Sequence, residues 1–446
     1  MKSSKKITQT VILNWIENNQ KYKDKTWNID VLSKRVISWL SNSNLTYEDS
    51  NKEYKTKFNN MVQKQINHLV NQILKSALID NKMIGCAAII LTGLAYKDKE
   101  KYLDYGLVLL KKIINFSFNS EGFPKSRNFR QLIFYLKYFI LIREWLKESQ
   151  NDIPEYLNEI IFNLGQAYNF AWQNTNQSFL FNGNHAVDNS NFDKYLKFHG
   201  YKFKNENNEC GGYIVLKNKN ILLTTDIGSA PEKKFSNNYQ SGTLSFEIYF
   251  KGKKLISNSG YFQNYKHQLN YISRSTASHS TLTIDNRSST KLKKNTEGKL
   301  IIDKAAKIIK KKIISEKDYF SIIGSHDGYL KEYGIIHERQ IEFFAKSNKF
   351  IGKDRLIRKK NFKSTNFEIR FHFEPGIKIT KTQEGKTILI ELVNSGWRFF
   401  CKDHPIDVET GLYFGKKSSF SENQNIFISG FTNNQEQEIN WEIIKI

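Results

Sequence analysis

The chain has 446 residues, of which 39% are hydrophobic and 14% aromatic, so it exceeds the usual size of one domain and is too apolar to be disordered. Its 68 Lys and Arg residues outnumber its 44 Asp and Glu residues and give a formal net charge of +24. Such a charge favours a polyanionic partner: an acidic polysaccharide, a nucleic acid or an anionic membrane. General enrichment in lysine explains the charge equally well, because the excess is dispersed along the chain.

Cysteine content and the N-terminal residues bear on the compartment of the protein. The three cysteines are Cys86, Cys210 and Cys401. Their odd number and wide spacing predict neither a disulfide framework nor a CxxC metal site. Asn14, Glu17 and Asn18 interrupt the apolar residues near the N-terminus, so neither a signal peptide nor a transmembrane helix is predicted. The sequence alone therefore indicates a cytoplasmic protein.

The first part of the chain, to about residue 175, has apolar residues at helical spacing. The clearest segments are 66–74, 84–91, 102–116 and 132–146. Short polar connections separate them, and Pro154 stands where a further helix is expected to begin. This rhythm predicts stacked pairs of helices.

The pattern changes near residue 178, beyond which short runs rich in β-formers alternate with Gly, Asn, Asp and Lys turns. The predicted strands include 213–216, 221–225, 244–250, 280–284, 319–323, 367–373 and 387–392. Many strands with connections of hairpin length indicate antiparallel sheets packed as a large sandwich. We therefore predict a helical domain over residues 1–177 and a β-domain over residues 178–446.

A set of short segments, in this order along the chain, carries a resemblance to a known family. They are Trp27–Trp39, Asn81–Gly85, Gly122–Asn128, Gly242–Glu247, Asn258–Tyr261, Arg274–Thr281, Ser325–Tyr329 and His337–Ile341. In sequence and spacing they resemble the heparinase II/III family of polysaccharide lyases. The resemblance implies an α+β multidomain fold: an N-terminal incomplete (α/α) toroid followed by a C-terminal antiparallel β-sandwich. It also implies an acidic polysaccharide in the cleft between them, and a cell-envelope location that the missing export signal does not support.

β-Elimination on a uronate polymer requires three groups: donors that neutralise the carboxylate, a base that removes the neighbouring carbon-bound proton, and an acid that protonates the leaving oxygen. The resemblance implies that a toroid Asn-His pair, a toroid Tyr and a His-x-His motif supply them. In this chain the Asn-His pair is Asn81-Lys82, the Tyr position is Phe129, and the His-x-His position is 238–240, Asn-Tyr-Gln. Much of the family's acid and base set is therefore replaced.

The resemblance also implies a possible zinc site, because some members bind zinc through a His, an Asp and a second His. These positions correspond here to Gln240, Asn258 and His279. Zinc sites in proteins are built from His, Cys and carboxylate ligands, so one imidazole with two amides is a poor site. We expect no metal and no other cofactor.

Two interpretations of the remaining residues stay open, with a third from another class. In the first, Arg127 and Asn128, helped by Asn81, hold the carboxylate, Tyr239 is the acid or the base, and His279 assists. Further residues predicted to bind substrate are Asn182, Asn238, Gln240 and Arg274. In the second, chemistry is lost and the cleft only binds or helps to assemble an acidic polysaccharide. The third, a nucleic-acid binder, rests on charge without any recognised motif.

Structural roles are alternatives for several of these residues. His279 fits a hydrogen-bonded histidine between a turn and a strand. Asn128 is a suitable N-cap at the entry to a helix, with Arg127 before it. Asn182 lies in a loop by composition, and Tyr239 is one of 22 tyrosines. The oligomeric state is left open by the sequence.

Overall fold

The computed structural model describes residues 2–96, 100–172, 178–186, 188–360, 363–382, 384–416, 419–433 and 435–446. The chain divides into two compact units: Met1–Gly122 with Ile133–Leu164, and Phe123–Leu132 with Gly165–Ile446. The predicted domain boundary near residue 178 stays a prediction, and residues 173–177 beside it lie outside the described residues.

The first unit is helical. Its helices are α1 (Lys2–Asn18), α2 (Asp24–Trp27), α3 (Ile29–Ser41), α4 (Ser43–Thr46), α5 (Lys52–Gln72), α6 (Ile79–Ala95) and α7 (Glu100–Ser117). It also contains most of α8 (Phe129–Glu148) and the first part of α9 (Glu155–Ala171), which begins directly after Pro154 as predicted. Helix α6 packs against both α3 and α7 and is buried from Met83 to Gly93. Among the described helices, none has the length and apolar character needed to cross a membrane.

The end of α5 departs from the predicted spacing. Ile73 is fully buried, as expected for the apolar face, but Leu74 is 63% exposed. The α-helix stops at Gln72, and residues Ile73–Lys75 form a 3₁₀ turn. A 3₁₀ turn has three residues per turn instead of 3.6, so Leu74 rotates away from the packed face.

In the described part of the chain, the second unit contains three further α-helices and the strands named below. The helices are α10 (Ser190–Phe198), α11 (Gln268–Arg274) and α12 (Leu330–Tyr333). The first strands are β1 (Glu209–Cys210), β2 (Tyr213–Lys217), β3 (Ile221–Asp226), β4 (Phe246–Phe250), β5 (Lys253–Ile256), β6 (Leu282–Ile284), β7 (Lys291–Lys294), β8 (Leu300–Lys304) and β9 (Ile308–Ser315). The others are β10 (Tyr319–His326), β11 (Ile335–Phe344), β12 (Lys349–Arg358), β13 (Asn366–His372), β14 (Lys378–Lys381), β15 (Thr387–Leu392), β16 (Ser395–Cys401), β17 (Ile406–Tyr413), β18 (Ser421–Phe431) and β19 (Gln437–Lys445).

The paired strands run antiparallel, which confirms the predicted antiparallel sheet region. One sheet has the order β1-β2-β3-β4-β5, and a larger one has the order β14-β15-β16-β19-β12-β11-β10-β9. A four-stranded sheet follows the order β17-β18-β13-β6, and β7 and β8 form a separate hairpin. Between β6 and β10 the chain thus forms the β7–β8 hairpin and then β9, the edge strand of the larger sheet.

Aromatic side chains from three of these sheets meet in one core. Trp441 of β19 stacks on Phe246 of β4 with ring centroids 5.5 Å apart, and Phe371 of β13 meets the same indole edge-on at 5.0 Å. Nearby, Phe250 packs edge-on against Trp397 at 5.3 Å. Burying such large rings is a major source of stability, so this cluster fixes the sheets against each other.

A buried ion pair crosses this core. Arg339 of β11 binds Asp354 of β12 through both carboxylate oxygens, with Nε–Oδ1 at 2.8 Å and Nη2–Oδ2 at 3.0 Å. Its Nη1 donates to the carbonyl oxygens of Leu244 at 3.1 Å and Ser280 at 2.7 Å. The indole of Trp441 donates to Asp354 Oδ2 at 2.9 Å. The pair thus fixes the backbone beside two of the segments that carried the sequence resemblance.

Two buried histidines, His326 and His337, extend this network as a chain of hydrogen bonds that ends at Asp354. Gly328 N–H donates to His326 Nδ1, so His326 Nε2 is the nitrogen that donates to His337 Nδ1 at 3.3 Å. His337 Nε2 then donates to Asp354 Oδ1 at 2.6 Å. Burial lowers the pKa of both histidines, which keeps both rings neutral in this arrangement.

Candidate functional site

The predicted site residues lie in both units. Asn81 is in the first turn of α6, in the helical unit, and is partly exposed. The others belong to the second unit: Arg127, Asn128, Asn182, Asn238, Tyr239, Gln240, Arg274 and His279. Of this second group, only Asn238 is not buried.

Arg127 lies just before α8 with a left-handed backbone (φ 57°) and a buried guanidinium. Nε donates to Gly211 O at 2.9 Å, and Nη1 donates to Gly228 O at 3.2 Å. Nη2 donates to Gly212 O at 3.2 Å and to Asp226 Oδ1 at 2.6 Å. Burial disfavours the cation, but the Asp226 carboxylate more than offsets it and raises the pKa of Arg127 above its usual value. Four of the five guanidinium N–H groups are thus used within the protein.

Asn182 joins this ion pair to the neighbouring loop. Its Nδ2 donates to Asp226 Oδ2 at 2.9 Å and to the Tyr213 hydroxyl oxygen at 2.5 Å, and its Oδ1 accepts from Gln240 N at 3.3 Å. The Tyr213 hydroxyl in turn donates to the Arg127 carbonyl at 2.7 Å. Asn182 also has a left-handed backbone (φ 43°), a conformation that asparagine tolerates better than most residues. Its side chain is therefore occupied in holding the loop.

Asn128 is the N-cap of α8, as the sequence suggested. Its Oδ1 accepts from Arg130 N at 2.9 Å, and the side chain is only 1% exposed. Within the described part of the chain, its Nδ2 has no hydrogen-bond partner. The amide lies beside Gly183 (φ 80°), where an added Cβ would come within 2.8 Å of both Asn128 Nδ2 and Asn238 Cβ. A buried NH₂ group with two donor hydrogens is therefore left without a partner among the described residues.

Gln240 joins its own loop to three other backbone segments and has no exposed surface. Its Oε1 accepts from Gly183 N at 2.9 Å, and its Nε2 donates to Gly260 O at 2.9 Å and Ser273 O at 2.5 Å. All of these bonds lie in the interior, where an unmade hydrogen bond is costly. Gln240 therefore acts as a cross-link of the loop that carries Asn238 and Tyr239.

Asn258 makes a second cross-link, centred on the fully buried Glu247. Asn258 N donates to Glu247 Oε1 at 3.2 Å, and Asn258 Oδ1 accepts from Ser280 N at 2.9 Å. Lys254 Nζ lies 3.4 Å from Glu247 Oε1, and the Tyr249 hydroxyl donates to Oε2 at 2.8 Å. Burial and the Glu247 charge raise the pKa of Tyr249 well above its usual value.

Tyr239 and Arg274 are held together in the interior. Arg274 Nε donates to the Tyr239 carbonyl at 2.7 Å, Nη1 to Leu300 O at 3.0 Å, and Nη2 to Ser236 O at 3.0 Å. Burial lowers the pKa of Arg274 to about 10, so it is still charged at neutral pH. The Tyr239 hydroxyl lies 3.5 Å from Thr243 Oγ1, and burial raises its pKa, so it stays protonated.

His279 has one nitrogen engaged and one free. Nδ1 lies 2.8 Å from Ser275 O and therefore carries the proton, since a carbonyl oxygen only accepts. Burial lowers the pKa of His279 to about 4, so the ring is neutral and Nε2 carries a lone pair. Among the described residues, Nε2 has no hydrogen-bond partner, although the side chain is only 1% exposed. Gly242 lies against the ring, and an added Cβ there would stand 2.6 Å from His279 Cδ2.

Gln240, Asn258 and His279 do not fit the zinc site that the family resemblance implies. Gln240 and Asn258 use their side-chain oxygens to accept from Gly183 N and Ser280 N, which leaves His279 Nε2 as the one available ligand of the three. Elsewhere in the described residues, no group of three or more His, Cys, Asp or Glu side chains is placed to hold a metal. No chemical step here is therefore assigned to a metal.

Replacing Gln240 by leucine is expected to destabilise the protein. The change keeps a similar size but removes hydrogen bonds to three buried backbone groups, and each unsatisfied group costs about 1–3 kcal/mol. Chemical unfolding should show a loss of at least about 2 kcal/mol. The change Gln263→Leu, at a partly buried amide, is the control and should cost less; equal losses would mean that Gln240 is not a cross-link.

Acid is expected to destabilise the fold. His279 and His372 have pKa values lowered by burial to about 4 and about 3, against an ordinary value of 6.5. The unfolded chain therefore binds protons that the folded chain does not, and the free energy of unfolding falls as the pH drops from about 6.5 towards 4. Each histidine contributes a slope of up to about 1.4 kcal/mol per pH unit. Urea unfolding between pH 6.5 and 4 measures this slope, and His279→Asn should make it shallower. A free energy of unfolding that does not change with pH would contradict neutral, buried rings.

Sequence reasoning missed the acidic partners of this site, Asp226 and Glu247. A signal for each was present, because both end or interrupt a run of β-forming residues that is otherwise apolar or hydroxylic. An acidic residue in a buried strand requires a cation or several donors. The sequence did not reveal that Arg127 is the cation that pairs with Asp226, since the two residues are 99 positions apart.

Comparison with known proteins gives both a family and a fold. The sequence pattern described as heparinase II/III-like, C-terminal, matches residues 207–442, which is more than half of the chain. Among the curated proteins, none matched the sequence.

Solved structures of lyases share the fold. A mutant of the heparan sulfate lyase HepC from Pedobacter heparinus is 14% identical, with a TM-score of 0.77 over 98% of this chain and 72% of that one. A heparinase III is 16% identical, with a TM-score of 0.77 over the same shares of the two chains. The heparinase III named as the BT4657 gene product is 14% identical, with a TM-score of 0.76 over 94% of this chain and 67% of that one. Identities this low establish the fold alone, but the pattern over residues 207–442 establishes the lineage: the chain belongs to the heparinase II/III-like family.

Proposed function

We propose that the chain is a polysaccharide lyase that cleaves an acidic, uronate-containing polysaccharide by β-elimination. The observation that carries the proposal is the unprotonated Nε2 of His279, which has no hydrogen-bond partner in the part of the chain that the structure describes. A buried acceptor without a partner costs stability, so its presence in a folded protein suggests a function. Family membership and the lyase fold supply the class of reaction and of substrate.

In this proposal His279 Nε2 is the base that takes the proton next to the uronate carboxyl group. The hydrogen bond from Nδ1 to Ser275 O sets the tautomer and the orientation of the ring. A nearby uronate carboxylate would raise the pKa of His279, which improves a base whose pKa burial holds at about 4. The spare Nδ2–H of Asn128 would donate to that carboxylate and stabilise the charge that develops as the proton leaves.

Tyr239 is the proposed acid. Its raised pKa keeps the hydroxyl protonated at neutral pH, which suits proton donation to the departing glycosidic oxygen. The proton that His279 gains and the proton that Tyr239 loses then balance the elimination. Asn81, in the helical unit, stays a predicted site residue. The partly exposed Asn238 is a proposed substrate contact.

Arg127, Asn182, Gln240 and Arg274 have most of their donors engaged within the protein, so we assign them a positioning role in the same site. The helical unit is proposed to be the incomplete (α/α) toroid, with domains over 1–177 and 178–446. Support comes from the packing of α6 against α3 and α7 and from the shared lyase fold.

The test is incubation with a panel of uronate polymers while ultraviolet absorbance is followed. β-Elimination creates a double bond conjugated to the carboxyl group, which absorbs, whereas hydrolysis does not. Growth of absorbance with at least one polymer is expected. No growth with any sulfated or non-sulfated uronate polymer would contradict the proposal.

A second candidate is binding of an acidic polysaccharide without cleavage, as a carbohydrate-binding or assembly factor. It is favoured by burial: Tyr239, His279 and Asn128 are each only 1% exposed, so a substrate reaches them only if the surrounding loops open. Saturable binding of a uronate polymer, measured by calorimetry without any growth of absorbance, would favour this candidate over the lyase.

A further inference from the structure

Two adjacent turns at one end of the β1–β5 sheet are rich in lysine. Lys217 ends β2, Lys219 lies in the β2–β3 turn that follows, and Lys251 lies in the β4–β5 turn. The turns lie side by side because Ile221, at the start of β3, pairs with Phe250, at the end of β4. Lys251 N–H also donates to Asn220 O at 2.7 Å, which joins the two turns directly.

A small pocket of about 120 Å³ lies between these turns. The residues that line it are Lys217, Asn218, Lys219, Asn220, Ile221, Leu222, Tyr249, Lys251 and Gly252. Ile221, Leu222 and Tyr249 are buried and give the pocket apolar walls. A cavity volume of about 15 Å³ is enough to hold one water molecule, so this pocket has room for a larger ligand.

The side chains around the pocket are of one sign. Three lysines line it, and no carboxylate stands among the described lining residues. Glu247, which accepts from the Tyr249 hydroxyl, is fully buried and lies 3.4 Å from the ammonium of Lys254.

The turn also presents neutral donors. Asn218 Oδ1 accepts from Asn220 N at 2.9 Å and from Ile221 N at 2.8 Å. These bonds fix the amide, and its Nδ2–H₂ group is left for another acceptor. Ammonium groups beside an amide donor and an apolar wall form a suitable environment for an oxoanion, since charge-assisted hydrogen bonds strengthen away from bulk water.

We propose that this pocket binds an oxoanion group, a sulfate, phosphate or carboxylate, separately from the residues of the candidate catalytic site. The lining residues of the pocket and the site residues are different, so the two are independently testable. The inference stands on the lysines and the pocket, and it holds whether or not the chain cleaves polysaccharide.

The experiment compares the wild type with the double variant Lys219→Gln/Lys251→Gln. The probes are sodium sulfate, sodium phosphate and a sulfated disaccharide, with dissociation constants from calorimetry at low ionic strength. Two contacts from exposed lysines are lost, so the affinity is expected to fall about fivefold. Weakened binding of the simple ions identifies a site for free oxoanions; weakening confined to the disaccharide identifies a saccharide-borne group. Either result supports the pocket.

The control is Lys331→Gln/Lys402→Gln, which changes the net charge equally at exposed lysines outside the pocket. This variant should keep the affinity of the wild type within about twofold. Equal weakening in both double variants would show a general effect of charge and would overturn the proposal, as would unchanged binding in the pocket variant. Thermal unfolding of each variant verifies that the fold is intact.

Discussion

Replacing His279 by asparagine is expected to lower the rate of elimination by about 10²–10⁴-fold, the usual contribution of a positioned base. Asparagine places its Nδ2 near the position of the imidazole Nδ1, so the hydrogen bond to Ser275 O is kept while Nε2 is removed. The loss should fall on kcat and not on KM, because the base acts in the transition state. Steady-state kinetics with the ultraviolet assay measures both.

The matched control is His372→Asn. His372 is also buried, and its pKa is also lowered, to about 3. Both of its nitrogens are occupied, however, with Nδ1 3.1 Å from Ser259 Oγ and Nε2 2.9 Å from Ala277 O. At a temperature where both variants are folded, only the His279 variant should lose catalysis. Equal losses would mean that His279 acts through the fold alone.

The change Asp354→Asn is expected to destabilise the protein by about 3–5 kcal/mol, because it leaves the Arg339 guanidinium buried without its counter-charge. The asparagine has the same shape, so packing around Trp441 is kept and the effect is electrostatic. His337, which donates to Asp354 at 2.6 Å, loses its charged acceptor as well. Urea unfolding of the purified variant gives the free-energy change.

The same chemical change at the surface provides the comparison. Asp407 pairs with Lys381 at 2.9 Å, with side chains 44% and 38% exposed. Exposed pairs contribute about 0–1 kcal/mol, so Asp407→Asn should be nearly neutral. Similar losses of stability in the two variants would contradict the view that the buried Arg339–Asp354 ion pair stabilises the second unit.

Strand bounds were predictable where buried and exposed residues alternate regularly and no residue has a left-handed backbone. The run 387–392 was predicted with the bounds that β15 has. The run 244–250 was predicted too long, because β4 begins only at Phe246. Leu244 has a left-handed backbone (φ 62°) and donates its N–H to Asp226 O at 2.8 Å, which turns it out of the strand. Composition does not reveal a left-handed leucine, since leucine is rarely found in that conformation.

Sequence reasoning proposes the site as a set of segments, and that set stays a prediction. Of the family's acid and base positions, only Asn81 and His279 keep their residue types, and among the described residues His279 Nε2 has no hydrogen-bond partner. The sequence could not show that Arg127 and Arg274 donate to backbone carbonyls, since those carbonyls are remote in sequence. Burial and hydrogen bonding of a side chain depend on long-range contacts, which no local pattern encodes.

The central claim is cleavage by elimination, and the mass of the product ends tests it most directly. After incubation of a uronate polymer with the wild-type protein, mass spectrometry should show fragments that together weigh the same as the parent chain. Every fragment that gains a new non-reducing end should carry an unsaturated uronate at that end. Fragments heavier in sum by one water per cut, or an intact polymer after prolonged incubation, would contradict it.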